Sequence, residues 1–343
     1  MRKTIIVSIV IASIFIAASC GQNEKGKAMS HNVELMKLGD EYFNKGMRDS
    51  ALAVYQQIAD NAEQADNKSV LTEAYSQIAR CYLAMSKKEE GRPWLDKAAG
   101  IADVNDPSGW SRFLGVRGRY EWKDAAEAES AVAPEASTAE NTFKEMYEYC
   151  MEHKIHNRAI DAANMVSITA KIEDRVEWGL KGIAAAEDGE LENWLAPLWN
   201  NLGWTYDDLG QYDKSIEALM KAREYHYKNG KEMPMLIADW SVGHAYRMNG
   251  QLDSALTWIN GVFEKASKFY EDNPQPENAE WVGFSHRELG EIAMAQVDET
   301  TALDHFKQAY EHLTTAGMES WDKKGYNELA LKIEKIQANN KNK

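Results

Sequence analysis

The segment Trp199–Ala222 reads WNNLGWTYDDLGQYDKSIEALMKA. Its apolar residues recur at steps of three and four, the period of a helix with one buried face. The run halts at Gly210, where glycine can take a left-handed turn, and resumes at Tyr212. Two helices joined by a tight turn follow from this. Gly203 and Ser215 are small where two such helices would cross, and Tyr206 and Leu219 are large enough to fill the space around the crossing. Asp213, three residues after Gly210, reads as the N-cap of the second helix.

The same spacing recurs in Gly39/Tyr42/Ala51/Tyr55, Ala79/Tyr82/Gly91/Leu95 and Gly243/Tyr246/Ala255/Ile259. Gly290/Ala293/Ala302/Phe306 keeps it without the tyrosine. Gly46 and Gly250 stand at the offset of Gly210, and Asp49 and Asp253 at that of Asp213. Turn, cap and packing signals thus agree across copies.

This pattern resembles the tetratricopeptide repeat (TPR), a helix–turn–helix unit of about 34 residues. The resemblance covers most of residues 32–310. It implies an all-α, right-handed TPR-like solenoid of about seven helix pairs, starting near residues 32, 72, 108, 160, 196, 236 and 283. The starts are 36 to 52 residues apart, so connectors or helices are longer than in the family, and the proline that often closes the repeat is missing. The 108 pair has Leu114 and Gly115 in place, and a small-residue and acidic stretch over 124–139 reads as a longer connector. The 160 pair carries Val166, Ser167, Ala170, Gly179, Ile183 and Ala186 at the expected offsets with no aromatic. The solenoid is expected to run as one unit over 32–337, closed by an amphipathic capping helix over 321–337, with a disordered tail at 338–343.

Residues 1–19 stand apart from the repeats. Arg2 and Lys3 precede an unbroken apolar or small run, Ile5 to Ala18, and Ala17-Ala18-Ser19 leads into Cys20. This resembles a bacterial lipoprotein signal peptide with its lipobox. It implies cleavage before Cys20, acylation of that cysteine by chains such as palmitate, and stable membrane anchoring. The run is shorter than the about 20 residues of a membrane span. Residues 20–31 are a flexible tether that keeps the repeats within about 30–35 Å of the bilayer. Gly21, rather than Asp, after the cysteine points to the outer membrane; the periplasmic or outer side is left open.

The chain has a net charge of −15. Loss of residues 1–19 removes Arg2 and Lys3 and no acid, leaving −17. That balance argues against nucleic acid and anionic lipid as general partners. Nucleophile elbows, phosphate loops, dinucleotide fingerprints and zinc motifs are all missing from the sequence, so no enzyme activity and no cofactor is expected. His153/His156 and His305/His312 each lack an obvious third metal ligand. Cys81 and Cys150 read as two partly buried free thiols.

In the TPR family the first helices line a concave groove. Carried onto this chain, the groove positions are Asn200, Trp204, Asp207 and Asp208; then Trp240, His244, Arg247 and Met248; then Arg287, Glu291 and Met294. Earlier pairs supply Met36, Asp40, Phe43, Asn44, Ser76, Arg80, Leu83, Arg112 and Arg119. Aromatic and arginine side chains on such a wall are frequent binding anchors. Trp204 and Trp240 would instead pack against a neighbouring helix if the register is displaced by one residue. The Lys/Asn set with which chaperone-binding members hold a C-terminal carboxylate is missing. The resemblance implies an envelope lipoprotein that binds a protein or peptide segment and acts as a scaffold. The alternative is a solute- or glycan-binding outer-membrane lipoprotein, because aromatic platforms also stack sugars.

Overall fold

The computed structural model describes residues 31–127 and 138–341. The signal peptide, Cys20 and the tether up to residue 30 lie outside the described residues, as do 128–137 within the expected connector and the last two residues. Among the described residues every regular element is a helix. They divide into two compact units at Ala170/Lys171.

The first unit holds α1 (31–44), α2 (Arg48–Gln64), α3 (Lys68–Ala84), α4 (Lys88–Ile101), α5 (Pro107–Glu127), α6 (Thr138–Glu152) and α7 (His156–Thr169). Each helix packs on the next in sequence, and α3 and α7 also pack on α5. First helices therefore lie beside first helices, the stacking order of a TPR solenoid. Tyr55, Ile58, Ile78, Cys81, Leu95 and Tyr120 are buried in its core.

The second unit holds α8 (Ile172–Asp188), a 3₁₀ turn (Glu192–Trp194), α9 (Leu195–Asp208), α10 (Tyr212–Asn229), α11 (Glu232–Met248), α12 (Leu252–Asp272), α13 (Pro276–Ala295), α14 (Glu299–Thr315), α15 (Met318–Trp321) and α16 (Lys323–Lys341). Here α11 packs on α9 and α13, and each first helix packs on its own second helix. α16 closes the unit against α14 and α15. It runs to Lys341, through four residues that read as tail in the sequence.

The repeat spacing reflects close helix crossings. A methyl group added at Gly39, Gly203, Gly243 or Gly290 would come within 2.5–2.6 Å of Tyr55, Leu219, Ile259 or Phe306, the large residue sixteen positions later in each case. Gly46, Gly210 and Gly250 take positive φ of 69–79° at the turns. Ser86 and Val297 hold the same conformation at the equivalent turns, with φ of 58° and 65°.

Two local expectations are corrected. Asp49, Asp213 and Asp253 are not N-caps; Met47, Gln211 and Gln251 hold that position without a capping side chain. The chain enters the helix one residue sooner after the left-handed glycine, so each acid is the second helical residue and acts through the positive end of the helix dipole. The 160 pair also differs. Its two helices belong to different units, α7 packing on α5 and α6 and α8 packing on α9. Gly179 admits Leu202 of α9, which a Cβ there would meet at 3.2 Å.

Candidate functional site

Each unit presents a wall built from its own first helices. In the second unit α9, α11 and α13 bring Trp204, Trp240, His244 and Arg247 onto one face. Their rings are in contact: Trp204–Trp240 centroids are 6.2 Å apart, Trp204–His244 5.0 Å and Trp240–His244 5.4 Å. Trp281 and Phe284 of α13 complete the cluster around Trp240 at 5.8 and 6.1 Å. Trp240 is only 8% exposed, and its indole N–H reaches the Phe284 carbonyl at 3.4 Å. It is therefore packing between three first helices, with no free face to stack a ligand. Trp204 is half-buried at the edge of the cluster.

The polar side of this wall is organised by Glu288 of α13, which sequence reading missed. Glu288 is 1% exposed. Arg247 Nε donates to its carboxylate at 2.6 Å, and His244 Nδ1 lies 3.0 Å away. Burial alone would raise the Glu288 pKa; His244 and Arg247 outweigh it and hold it at about 2. Burial likewise lowers His244, but hydrogen bonding to Asp207 and Glu288 leaves its pKa raised above the ordinary value. His244 Nε2 is 3.8 Å from Asp207. Arg247 and His244 are thus engaged within the protein. The stretch Ser285-His286-Arg287-Glu288-Leu289 is mostly polar, so nothing local in the sequence marked Glu288 as the buried acid.

The remaining positions on this wall are peripheral. Asn200 is half-buried, and Asp208 and Met294 are exposed. Arg287 and Glu291 line a cleft of about 190 Å³ together with Glu328, Leu329 and Lys332 of α16, and Lys332 pairs with Glu291. The capping helix therefore occupies the end of the wall.

In the first unit α1, α3, α5 and α7 form the corresponding wall. Three of its acids are engaged. Asp40 accepts from Tyr55 at 2.6 Å, from Gln77 at 2.5 Å and from Arg112 at 3.1 Å. Glu73 accepts from Arg158 at 2.7 Å and Ser108 at 2.7 Å, and Asp161 from Arg119 at 2.7 Å. Burial would raise all three carboxyl pKa values, yet the facing arginines leave each lowered. Beside this ladder lies an open cavity of about 280 Å³, lined by Phe43, Arg80, Leu83, Ala84, Arg119, Trp122, Lys123 and Met165. Phe43, Leu83, Arg80 and Arg119 are positions that the family offsets place in the groove, and the structure brings them together. Trp122, Lys123 and Met165 were not anticipated, because the helix pairs that supply them diverge most from the repeat pattern.

Cys81 and Cys150, both in the first unit, are buried free thiols. Burial pushes them up to about 12 and about 11, far from a reactive thiolate. Among the described residues no group of three or more His, Cys, Asp or Glu is placed to hold a metal ion, and no helix is long and apolar enough to cross a membrane.

A tetratricopeptide-repeat profile matches residues 196–225, the helix pair from which the spacing was read. No curated protein matches the sequence. Among solved structures, the chain is similar to a signal-transduction ATPase with numerous domains and a tetratricopeptide repeat sensor from Pyrococcus horikoshii. The TM-score is 0.61 at 14% identity, over 84% of this chain and 43% of that one. It is also similar to the C-terminal part of a TPR repeat-containing protein from Cytophaga hutchinsonii, with a TM-score of 0.51 and 11% identity over 86% and 98% of the two chains. A Rap protein complexed with Competence and Sporulation Factor gives a TM-score of 0.52 and 13% identity over 90% and 87%. The chain spans less than half the length of the first of these. Likeness at such identities establishes the fold: all-α and TPR-like.

Proposed function

We propose that this protein is a non-enzymatic envelope lipoprotein, acylated at Cys20, that binds a protein or peptide segment along a first-helix wall. The observation that carries the binding reading is the open cavity of the first unit, where Phe43, Leu83 and Trp122 offer apolar surface beside Arg80, Arg119 and Lys123. Apolar anchors beside cations suit a peptide, whose backbone and side chains supply both kinds of complement. In the second unit Trp240, His244 and Arg247 are consumed by internal contacts, which favours the first unit as the binding wall. The same burial takes Trp240 out of any open aromatic platform for a glycan, which supports the peptide reading over the alternative. The signal-peptide pattern of residues 1–20 supports the lipid anchor and the outer membrane as its site.

A photocrosslinking benzophenone side chain at position 83, introduced in the native cell, tests the binding reading. Ultraviolet-dependent adducts with a polypeptide are expected at 83 and at 122, and none at exposed position 217 of the second unit. Adducts at 217 and none at 83 or 122 would exclude the first-unit wall. Labelled palmitate should enter the wild type and not Cys20→Ser; a labelled serine variant would refute acylation at that residue.

A further inference from the structure

The arginines of the first unit are not equivalent. Arg112, Arg119 and Arg158 each meet a carboxylate within hydrogen-bond distance. Arg48 and Arg80 meet none among the described residues. Both lie instead over the ring of Phe43, with their guanidinium carbons 3.9 and 4.2 Å from its centroid. Arg48 Nη1 is buried without a hydrogen-bond partner. Burial, then the charge of Arg119, brings Arg80 down to about 10, and Asp161 offsets only part of the fall without reaching hydrogen-bond distance of Arg80.

The surroundings sharpen the point. The cavity beside Phe43 is lined by three cations and by no acid: Arg119 is paired with Asp161 behind the wall, whereas Arg80 and Lys123 have no carboxylate within hydrogen-bond distance among the described residues. In a chain of net charge −15 this is a local inversion of sign. Cation–π contact offsets only part of the cost of desolvating a guanidinium, and a buried charge is normally paired. An arriving carboxylate would supply the missing partner. The apolar wall of Leu83, Trp122 and Met165 beside it would cover a bulky side chain on the adjoining residue.

We propose that the Phe43–Arg80 cavity is a subsite for an acidic side chain adjacent to a bulky apolar one in a peptide ligand. The inference rests on the peptide-binding reading above and narrows it to a ligand class. The Arg80 guanidinium is held over the Phe43 ring, which orients it with little entropy left to lose on binding.

The test uses the detergent-solubilised full chain on an array of ten-residue peptides with randomised flanks and a central pair of Glu-Phe, Gln-Phe, Lys-Phe or Glu-Ser. Retention of Glu-Phe peptides is expected to exceed that of Gln-Phe and Lys-Phe peptides by roughly tenfold and to weaken with added salt. Glu-Ser peptides should be retained less, having lost the apolar contact. Arg80→Gln should abolish the preference for Glu without lowering the melting temperature. Lys123→Gln, at a second cation of the cavity, serves as the second variant should Arg80→Gln fail to fold. Peptide binding without preference for Glu, or a preference that survives both substitutions, overturns the subsite and leaves the peptide-binding reading standing. Retention of no peptide class overturns both.

Discussion

Val297 is 85% exposed and sits in the left-handed region at φ +65°. A β-branched residue there strains against its own backbone by about 1–2 kcal/mol. Gly210 and Gly250 hold the equivalent turn with no such cost. Val297→Gly is therefore expected to raise the urea midpoint by an amount equivalent to about 1 kcal/mol, although the unfolded chain gains some freedom. A lower midpoint would mean that the valine makes a contact worth more than its strain. Trp240 makes the opposite case. Its position in the repeat suggested a groove anchor whose truncation would spare stability. Packed among Trp204, His244, Trp281 and Phe284, it should behave as a core residue, and Trp240→Ala should cost about 3–5 kcal/mol. A thermal melt close to that of the parent would return it to the binding surface.

The α13–α14 pair contains the clearest element-scale consequence. His286 on α13 lies between His305 and His312 on α14, with ring centroids 5.2 and 5.9 Å away, and Phe263 and Tyr270 of α12 flank the histidines. The His286 and His305 Nδ1 atoms are 3.0 Å apart, so one ring must be the neutral acceptor. Burial, then the two other imidazoles, lowers His286 to about 4, and burial also lowers His305 and His312. The unfolded chain takes up these protons near pH 6.5, before the folded one does. Stability should be full above that pH and fall as pH drops from about 6.5 towards 4. His286→Gln should flatten this dependence. The check is the difference in urea midpoint between pH 7 and pH 5 for the two proteins. An unchanged difference would place the pH sensitivity elsewhere.

At the scale of the whole chain, the division at Ala170/Lys171 gives each unit its own core. In the second, α8 covers α9, Gly179 admits Leu202, and α16 closes the far end on α14. Both ends of its helix stack are therefore covered, as a short solenoid requires. A fragment of residues 171–343 is expected to fold alone, with a helical circular dichroism spectrum and a cooperative melt. A non-cooperative or unfolded fragment would show that the second unit depends on the first.

The sequence by itself determined the helix pairs and their crossings. Gly39–Tyr55, Gly203–Leu219, Gly243–Ile259 and Gly290–Phe306 were legible because a small residue and its filler lie one turn and one helix apart in the chain, and helical periodicity then fixes which faces meet. The left-handed turns at Gly46, Gly210 and Gly250 were legible for the same local reason. Part of the candidate wall, Phe43, Arg80, Leu83 and Arg119, followed from those offsets. Which residues were free to bind did not. Glu288 takes up Arg247 and His244 across 41 and 44 positions, and Glu73 takes up Arg158 across 85. Only the stacking of helices far apart in the chain decided which charges found partners, and so left Arg48 and Arg80 over Phe43 with no carboxylate at hydrogen-bond distance among the described residues. The break at residue 170 was decided there too: α7 and α8 are each amphipathic, and the sequence spacing cannot say which neighbour covers which face.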